Sequence, residues 1–140
     1  MIGKFTLVIL LDQITKALFA SRDFFFGPIR FHLVKNFGLS FGLNSASRNV
    51  SLFVVLLAFA IFGIYFLLDK KANLRSRIGF GIVLAGAISN LLDRIALGYV
   101  RDFIDVGMFT FNLADLAIAI GLLLMLIKLS PRTYSEGIGD

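Results

Sequence analysis

The sequence contains no cysteine and no tryptophan, and its single histidine is His32. Without cysteine, the chain can form no disulfide and cannot act as a cysteine protease. With one histidine, it can assemble neither a histidine-based catalytic triad nor a zinc site built from several histidines. We therefore expect neither a metal ion nor another cofactor, and we interpret His32 as a surface residue.

The composition is strongly apolar. The length of 140 residues fits one domain, and 58% of the residues are hydrophobic, far more than in a typical soluble domain. We therefore expect lipid to be the solvent. The formal net charge is +5 at pH 7, but the basic residues are dispersed among apolar runs and form no basic stripe. We expect no nucleic-acid binding.

Four apolar segments, at about residues 4–20, 50–68, 78–92 and 113–129, approach the roughly 20 residues that a helix needs to cross a bilayer. We predict an all-α membrane protein, a single domain over residues 1–140 with four transmembrane helices. Asp12 and Lys16 interrupt the first segment, so we predict a retained helix and not a cleaved signal peptide. Small residues in the third segment, such as Gly79 and Gly86, predict a central packing helix.

The connection between the second and third spans, residues 69–77, carries four basic residues. The positive-inside rule assigns such a connection to the cytoplasm. Both termini are then expected in the cytoplasm, and residues 21–49 and 93–112 on the outer side. Within the first outer segment, residues 24–34 contain a Gly-Pro turn between aromatic and β-branched residues, which predicts a β-hairpin platform at the membrane interface.

This topology gathers acidic residues near the outer face. They are Asp93, Asp102, Asp105 and Asp115. A carboxylate in or near hydrocarbon is costly, so such groups are usually functional and have an ion-pair or hydrogen-bond partner. Asp102 and Asp115 have no basic residue at helical spacing, which makes them the least compensated acids.

Two other acids have obvious partners in the sequence. Asp12 lies about half-way along the first span, and Lys16 follows one helical turn later on the same face. Asp93 has Arg94 beside it and Asn90 one turn earlier. We interpret Asp12 as a structural residue neutralised by Lys16, and for Asp93 a supporting and a catalytic role are equally consistent with the pattern.

Two carboxylates held close together cannot both ionise easily, so one keeps a proton while the other acts as a base. Such a pair can activate water against an amide, as in aspartyl proteases. Other hypotheses stay open at this point. Ser40 or Ser45 with Lys35 would be a serine–lysine peptidase site, intramembrane acids also occur in ion-coupled transporters, and a non-catalytic lipid-binding subunit would not need the acids.

Five short motifs, in this order, resemble the signature blocks of the bacterial lipoprotein signal peptidase family, signal peptidase II. They are DQITK at 12–16, NFGLSFG at 36–42, GAISNLLDR at 86–94, VRDFI at 100–104 and FNLAD at 111–115. The resemblance implies an aspartyl endopeptidase that removes the signal peptide from diacylglyceryl-modified prolipoproteins, cleaving before the lipidated cysteine. It also implies a site towards the outer face of the bacterial cytoplasmic (inner) membrane, with lipidated prolipoproteins as partners. We further expect a multi-pass monomer that contacts membrane lipids.

By position in these motifs, Asp102 and Asp115 correspond to the catalytic pair. Eight other motif positions correspond to residues that bind substrate or support the pair. They are Asp12, Lys16, Asn36, Gly38, Asn90, Asp93, Arg94 and Asn112. The segment 36–42, with its two glycines, corresponds to a mobile loop over the substrate cleft. This chain departs from the family pattern at Arg101, where an apolar residue is usual, at Asp105, an additional acid, and in a short spacing between Asp102 and Asp115. Asp93 stays the alternative to Asp102.

Overall fold

The computed structural model describes residues 2–37, 56–57, 60, 63–64 and 73–127. The helices and strands in these ranges are α1 (Ile2–Phe19), β1 (Asp23–Phe26), β2 (Ile29–Asn36), α2 (Leu74–Leu97), β3 (Val100–Asp105), β4 (Thr110–Phe111) and α3 (Leu113–Leu126). Within the predicted span at 50–68, the few described residues are helical, and the others lie outside the described residues.

Helix α2 is longer at both ends than the predicted span at 78–92. The Asn73 side chain accepts a hydrogen bond from the backbone N–H of Ser76 at 2.9 Å, which caps the start of the helix. Gly98 ends it in a left-handed conformation with φ of 84°, which glycine adopts without steric cost. Helix α3 ends at Leu126, with Ile127 at its C-cap, three residues before the predicted boundary at 129.

Among the described helices, only α2 is both long and apolar enough to cross a bilayer by itself. Helix α3 is apolar but has 14 residues, and the 18 residues of α1 include Asp12 and Lys16. The outward face of α1 carries large apolar side chains that are about half exposed, including Leu7, Leu10 and Ile14. This is the exposure pattern of a helix whose outer face meets lipid.

The predicted hairpin exists, and it is half of a larger sheet. Strands β1 and β2 pair in an antiparallel manner around Gly27, whose φ is 60°. The connection between α2 and α3 adds β3 and β4, giving one four-stranded antiparallel sheet in the order β1-β2-β3-β4. The prediction of an all-α fold with a single hairpin was therefore incomplete. Residues Val100–Asp105 form a strand because their backbone pairs with β2. The segment itself is short and interrupted by charged residues.

An aromatic cluster fixes this sheet against the end of α1. Phe19 stacks on Phe103 of β3 with ring centroids 4.8 Å apart, and it also contacts Phe31 of β2 at 5.4 Å. Phe103 is almost completely buried. Because Phe103 follows Asp102 directly, this packing helps to hold β3 next to the helices.

Helices α2 and α3 approach each other through glycines. A Cβ atom placed on Gly86 would lie 2.6 Å from the carbonyl oxygen of Ala114, and one placed on Gly79 would lie 2.6 Å from the carbonyl oxygen of Gly121. Gly81 of α2 meets the ring of Phe5 on α1 in the same manner. The structure therefore confirms α2 as the central packing helix, because small residues permit close contact where lipid supplies no hydrophobic drive.

The interior of the described protein is polar. The buried apolar side chains are mostly small, such as Val83, Ala85 and Ala114. The buried polar and charged residues are Asp12, Lys16, Ser89, Asn90, Asp93, Asp102 and Asn112. Buried charges are tolerated only when they are paired or hydrogen-bonded, so the contacts among these residues determine what the interior can do.

Candidate active site

Helix α3 begins with a capping box that fixes Asp115. The Asn112 side chain accepts a hydrogen bond from the Asp115 N–H at 3.0 Å, and the Asp115 carboxylate accepts one from the Asn112 N–H at 3.1 Å. Asp115 therefore lies in the first helical turn, where the helix dipole favours negative charge. The sequence FNLAD thus places a carboxylate in a defined conformation at the start of a helix.

Asp102 lies on β3 and is 1% exposed. Its Oδ1 accepts a hydrogen bond from Asn112 Nδ2 at 2.7 Å, and its Oδ2 accepts one from Asn36 Nδ2 at 2.9 Å. Asn112 therefore contacts both Asp102 and Asp115. Burial, together with the negative charge of Asp115, raises the pKa of Asp102 to about 6, whereas the hydrogen bonds from Asn36 and Asn112 act in the opposite direction.

A buried amide connects this pair to a lysine. Asn90 Oδ1 accepts hydrogen bonds from Lys16 Nζ at 2.8 Å and from Asn112 Nδ2 at 3.1 Å, while Asn90 Nδ2 donates to Asp115 Oδ1 at 2.8 Å. All three hydrogen bonds are consistent with one orientation of the Asn90 amide group. The Asn90 side chain therefore connects Lys16 of α1 to the residues at the start of α3.

Four charged residues form a cluster next to the pair, with Asp12, Lys16 and Asp93 buried and Arg101 partly exposed. Lys16 Nζ lies 2.7 Å from Asp12 Oδ2 and 3.3 Å from Asp93 Oδ2, and Arg101 Nη2 lies 2.7 Å from Asp93 Oδ1. Two carboxylates thus face two cations. By contrast, Asp102 and Asp115 form no ion pair with any residue that the structure describes.

Asp12 also ties α1 to the start of α3. Its Oδ1 accepts a hydrogen bond from the Ala114 N–H at 2.8 Å, and its Oδ2 accepts one from Ser89 Oγ at 2.7 Å. Ala114 is the residue before Asp115. The carboxylate of Asp12 therefore satisfies a backbone donor that would otherwise be unpaired at a buried helix end.

A family model described as signal peptidase (SPase) II matches residues 4–130 of this chain. The chain belongs to the signal peptidase II family. The resemblance inferred from the five motifs is therefore confirmed, and the protein is a peptidase. The hypotheses of a transporter and of a non-catalytic subunit lose their basis, because membership of a peptidase family accounts for the same acids.

Individual relatives agree with the family assignment. The chain is 37% identical over 136 residues to the lipoprotein signal peptidase of Syntrophomonas wolfei, which covers 89% of each protein. It is 36% identical over 141 residues to that of Nostoc punctiforme, covering 88% of this chain and 84% of the relative. A bacterial membrane enzyme solved by the in meso method superposes with a TM-score of 0.77 at 25% identity, covering 99% of this chain and 92% of that one.

The structure brings most of the predicted site residues into one connected group. Asp12, Lys16, Asn36, Asn90, Asp93, Asp102, Asn112 and Asp115 are joined by the contacts described above. Gly38 lies outside the described residues, as do Ser40 and Ser45 of the serine–lysine hypothesis. Lys35, the base of that hypothesis, has its Nζ 5.3 Å from the centre of the Tyr99 ring.

The predicted pairing of Asp12 with Lys16 is confirmed, whereas the predicted partners of Asp93 were wrong. The Asp93 carboxylate contacts Arg101 and Lys16. Arg94 follows Asp93 directly and so projects from another side of the helix, where its Nη1 donates to the backbone carbonyl of Asn90 at 3.5 Å. The negative charges of Asp115, Asp102 and Asp93 nevertheless act on the Arg94 guanidinium group.

His32 and Asp105 contact each other on the sheet. His32 Nε2 lies 3.0 Å from Asp105 Oδ2, and the Gly107 N–H donates to Asp105 Oδ1 at 2.7 Å. These two hydrogen bonds, the one from His32 being the stronger influence, lower the pKa of Asp105. Asp105 therefore has local partners of its own, on the same strand as Asp102.

The sequence analysis missed Gln13 and Ser89. Gln13 Nε2 donates to Ser89 Oγ at 3.0 Å and to Asp93 Oδ1 at 3.1 Å, and Gln13 Oε1 accepts from Arg101 Nη2 at 2.7 Å. Ser89 precedes Asp93 by one helical turn, so its position on the polar stripe of α2 was visible in the sequence. Gln13 follows Asp12 directly and lies off the corresponding stripe of α1. Within the described ranges, no group of three or more histidine or acidic side chains is arranged to hold a metal ion.

Proposed function

We propose that this protein removes the signal peptide from diacylglyceryl-modified prolipoproteins, cleaving before the lipidated cysteine, with Asp102 and Asp115 as the pair that activates water. The observation that carries the proposal is the position of Asn112, which donates one hydrogen bond to Asp102 and one to Asp115. One residue thus holds two carboxylates from different elements beside each other.

The second support is the difference in compensation between the acids. Asp12 and Asp93 are neutralised by Lys16 and Arg101, so their charges are already used in holding the fold. Among the residues that the structure describes, the hydrogen-bond donors to Asp102 and Asp115 are amide groups. Neutral amide donors orient the carboxylates without adding a positive charge that would keep both of them ionised. The pair therefore keeps the capacity for acid–base chemistry.

In the proposed mechanism, the pair shares one proton. The ionised aspartate takes a proton from water, whose oxygen attacks the carbonyl carbon of the scissile peptide bond, while the protonated aspartate donates its proton to the carbonyl oxygen. The tetrahedral intermediate then collapses: the carbon–nitrogen bond breaks, the leaving amine receives a proton from the pair, and one hydroxyl group of the intermediate returns its proton to the pair. No covalent enzyme intermediate forms. The pKa of Asp102, about 6 through burial, keeps this proton available near neutral pH.

The proposal includes a location. The acids lie at the end of α2, on the adjoining strand and at the start of α3, so they occupy one end of the helices. We place this end at the outer face of the bacterial inner membrane, with four spans, both termini in the cytoplasm and a monomeric enzyme. The basic segment 69–77 at the opposite end of α2 supports this orientation. The sheet beside Asp102 then lies at the membrane surface, where a lipidated peptide arrives.

The test is cleavage of a diacylglyceryl-modified prolipoprotein peptide by the purified protein in lipid. We expect Asp102→Asn and Asp115→Asn each to lower kcat by at least about 1,000-fold, the scale of losing acid–base catalysis. Asp105→Asn is the matched control, because Asp105 lies on the same strand and contacts His32, and it should cleave normally. Normal cleavage by either of the first two variants contradicts the proposed pair. Equal cleavage of an unlipidated peptide contradicts the proposed substrate.

A further inference from the structure

Arg101 connects β3 to two helices through hydrogen bonds to Asp93 and Gln13. Its backbone N–H donates to Asp93 Oδ2 at 2.9 Å, its Nε donates to the same oxygen at 3.2 Å, and its Nη2 donates to Asp93 Oδ1 at 2.7 Å. Nη2 also donates to Gln13 Oε1 at 2.7 Å. The guanidinium group thus joins β3 to α2 and α1, and its side chain is 18% exposed.

The two-point contact with Asp93 determines how β3 leaves α2. A guanidinium group that meets both oxygens of a carboxylate is restricted in orientation as well as in distance. Successive side chains along a strand point to opposite sides, so fixing Arg101 on one side fixes the direction of Asp102 on the other. Asp102 then meets the amide groups of Asn36 and Asn112.

Arg101 also balances the buried charges. Asp12 and Asp93 face Lys16 and Arg101, so the cluster is neutral when all four residues are ionised. Without the guanidinium group, Lys16 alone among the described cations would contact the two buried carboxylates. Lys16 Nζ already lies 2.7 Å from Asp12 and 3.3 Å from Asp93 and donates to Asn90, so its single charge would face two carboxylates.

We propose that Arg101 is a positioning residue for the water-activating pair: it clamps β3 to Asp93 and Gln13 and thereby directs the Asp102 carboxylate, and its charge keeps the buried cluster neutral. This inference rests on the proposed function, since it concerns the orientation of the proposed pair. An apolar residue at this position would supply neither the clamp nor the charge, so in this chain the function of Asp102 depends on its neighbour.

The test compares Arg101→Met, which keeps most of the side-chain stem and removes the charge, with Arg101→Lys, which keeps the charge and removes the two-point contact. We expect Arg101→Met to lower kcat by about 10- to 100-fold, the scale of a small misplacement of a reacting group, with KM unchanged within about twofold. Arg101→Lys should recover part of the loss in kcat.

The pH dependence separates the charge from the clamp. The charges that act on Asp102 are those of Asp115 on α3, Arg94 on α2 and Lys16 on α1, and Lys16 belongs with Asp12 and Asp93 to the cluster that Arg101 neutralises. Arg101 acts electrostatically on Asp93 and Asp12, so without its charge the cluster carries one net negative charge, which raises the pKa of a nearby carboxyl group. The alkaline limb of the pH–rate profile should therefore move upward in Arg101→Met and stay in place in Arg101→Lys.

Two further variants complete the test. Gln13→Leu loosens the clamp without changing the charge, so it should lower kcat and leave the pH profile in place, and it carries the test if Arg101→Met is not recovered folded. Arg30→Met is the matched control, because Arg30 pairs with the exposed Asp23 in the same sheet, and its kcat should equal that of the wild type.

Different results contradict the inference and the proposed function. Wild-type kcat in Arg101→Met, or a loss that appears entirely in KM, overturns the role of Arg101 while the proposed pair stands. An unshifted pH profile in Arg101→Met overturns the charge component. Normal cleavage by Asp102→Asn overturns the proposed pair itself, whatever Arg101 does.

Discussion

Replacing Asp102 with asparagine should change the stability of the fold in a manner that depends on pH. Burial raises the pKa of Asp102 from 3.8 to about 6. A carboxyl group whose pKa is higher in the folded protein contributes stability below its unfolded pKa, and that contribution is lost as the pH rises through the folded value. A shift of about two units at 1.36 kcal/mol per unit gives about 3 kcal/mol. An asparagine side chain has no such proton to lose.

The difference in the free energy of unfolding, variant minus wild type, should therefore grow by up to about 3 kcal/mol between pH values below 3.8 and above 6. The amide of the introduced asparagine also faces the amides of Asn36 and Asn112. That repulsion is independent of pH. It therefore shifts the difference in the free energy of unfolding by the same amount at every pH and does not alter how that difference varies with pH. The other titrating groups are common to both proteins.

The assay is thermal unfolding in detergent or lipid, followed by circular dichroism over a series of pH values. The chain has neither tryptophan nor cysteine, so tryptophan fluorescence and thiol-reactive dyes cannot report unfolding. A difference in melting temperature that is the same at every pH would refute the reasoning, because it would mean that Asp102 titrates alike in the folded and unfolded protein.

Asp105→Asn is a control for the same measurement, because its stability relative to the wild type should change with pH in the opposite direction. The hydrogen bonds from His32 and Gly107 lower the pKa of Asp105 in the folded protein. Its carboxylate therefore contributes stability above the unfolded pKa, and this contribution is lost as the pH falls. Asp105→Asn should become less stable than the wild type as the pH rises, whereas Asp102→Asn becomes more stable.

The site and its packing give three further predictions. The ratio kcat/KM should fall as the pH rises above about 6, because Asp102, with its pKa raised to that value by burial, loses the proton that the pair shares; a pH–rate profile that is flat to alkaline pH contradicts this. Gly86→Ala should lower the free energy of unfolding by about 1–3 kcal/mol and also reduce kcat, because the new methyl group would meet the Ala114 carbonyl oxygen. Gly3→Ala is the control and should do neither, because the space around Gly3 is open. Lys16→Met should lower the free energy of unfolding by about 3–5 kcal/mol in chemical denaturation, because it leaves buried carboxylates short of a cation; an equal or higher stability contradicts the role given to the ion pair.

The sequence was sufficient to predict those features that depend on local spacing. Lys16 is one helical turn from Asp12, so their ion pair follows from helical geometry alone. Asn112 and Asp115 stand at the spacing that a capping box requires, so the capping box of α3 was visible in the sequence, although it was not predicted. The glycines of α2 likewise indicated a packing helix before any partner helix was known.

Features that depend on how distant elements meet could not be predicted in the same way. Arg101 reaches Asp93 because the chain reverses at Gly98, and nothing in the helical spacing around Asp93 indicates this contact. Strand β3 depends on ladder pairing with β2 from a remote part of the chain. Gln13 is a partner of Arg101 only because α1 packs beside β3, so its role appears only in the folded structure.

The central claim, that Asp102 and Asp115 act together on water, is tested most directly by combining the two substitutions. Each single variant, Asp102→Asn or Asp115→Asn, should lower kcat for the lipidated peptide by at least about 1,000-fold. Because residues that act as a unit are not additive, the double variant should be no slower than the slower single variant. A double variant whose loss equals the product of the two single losses, or a single variant with wild-type kcat, contradicts the claim.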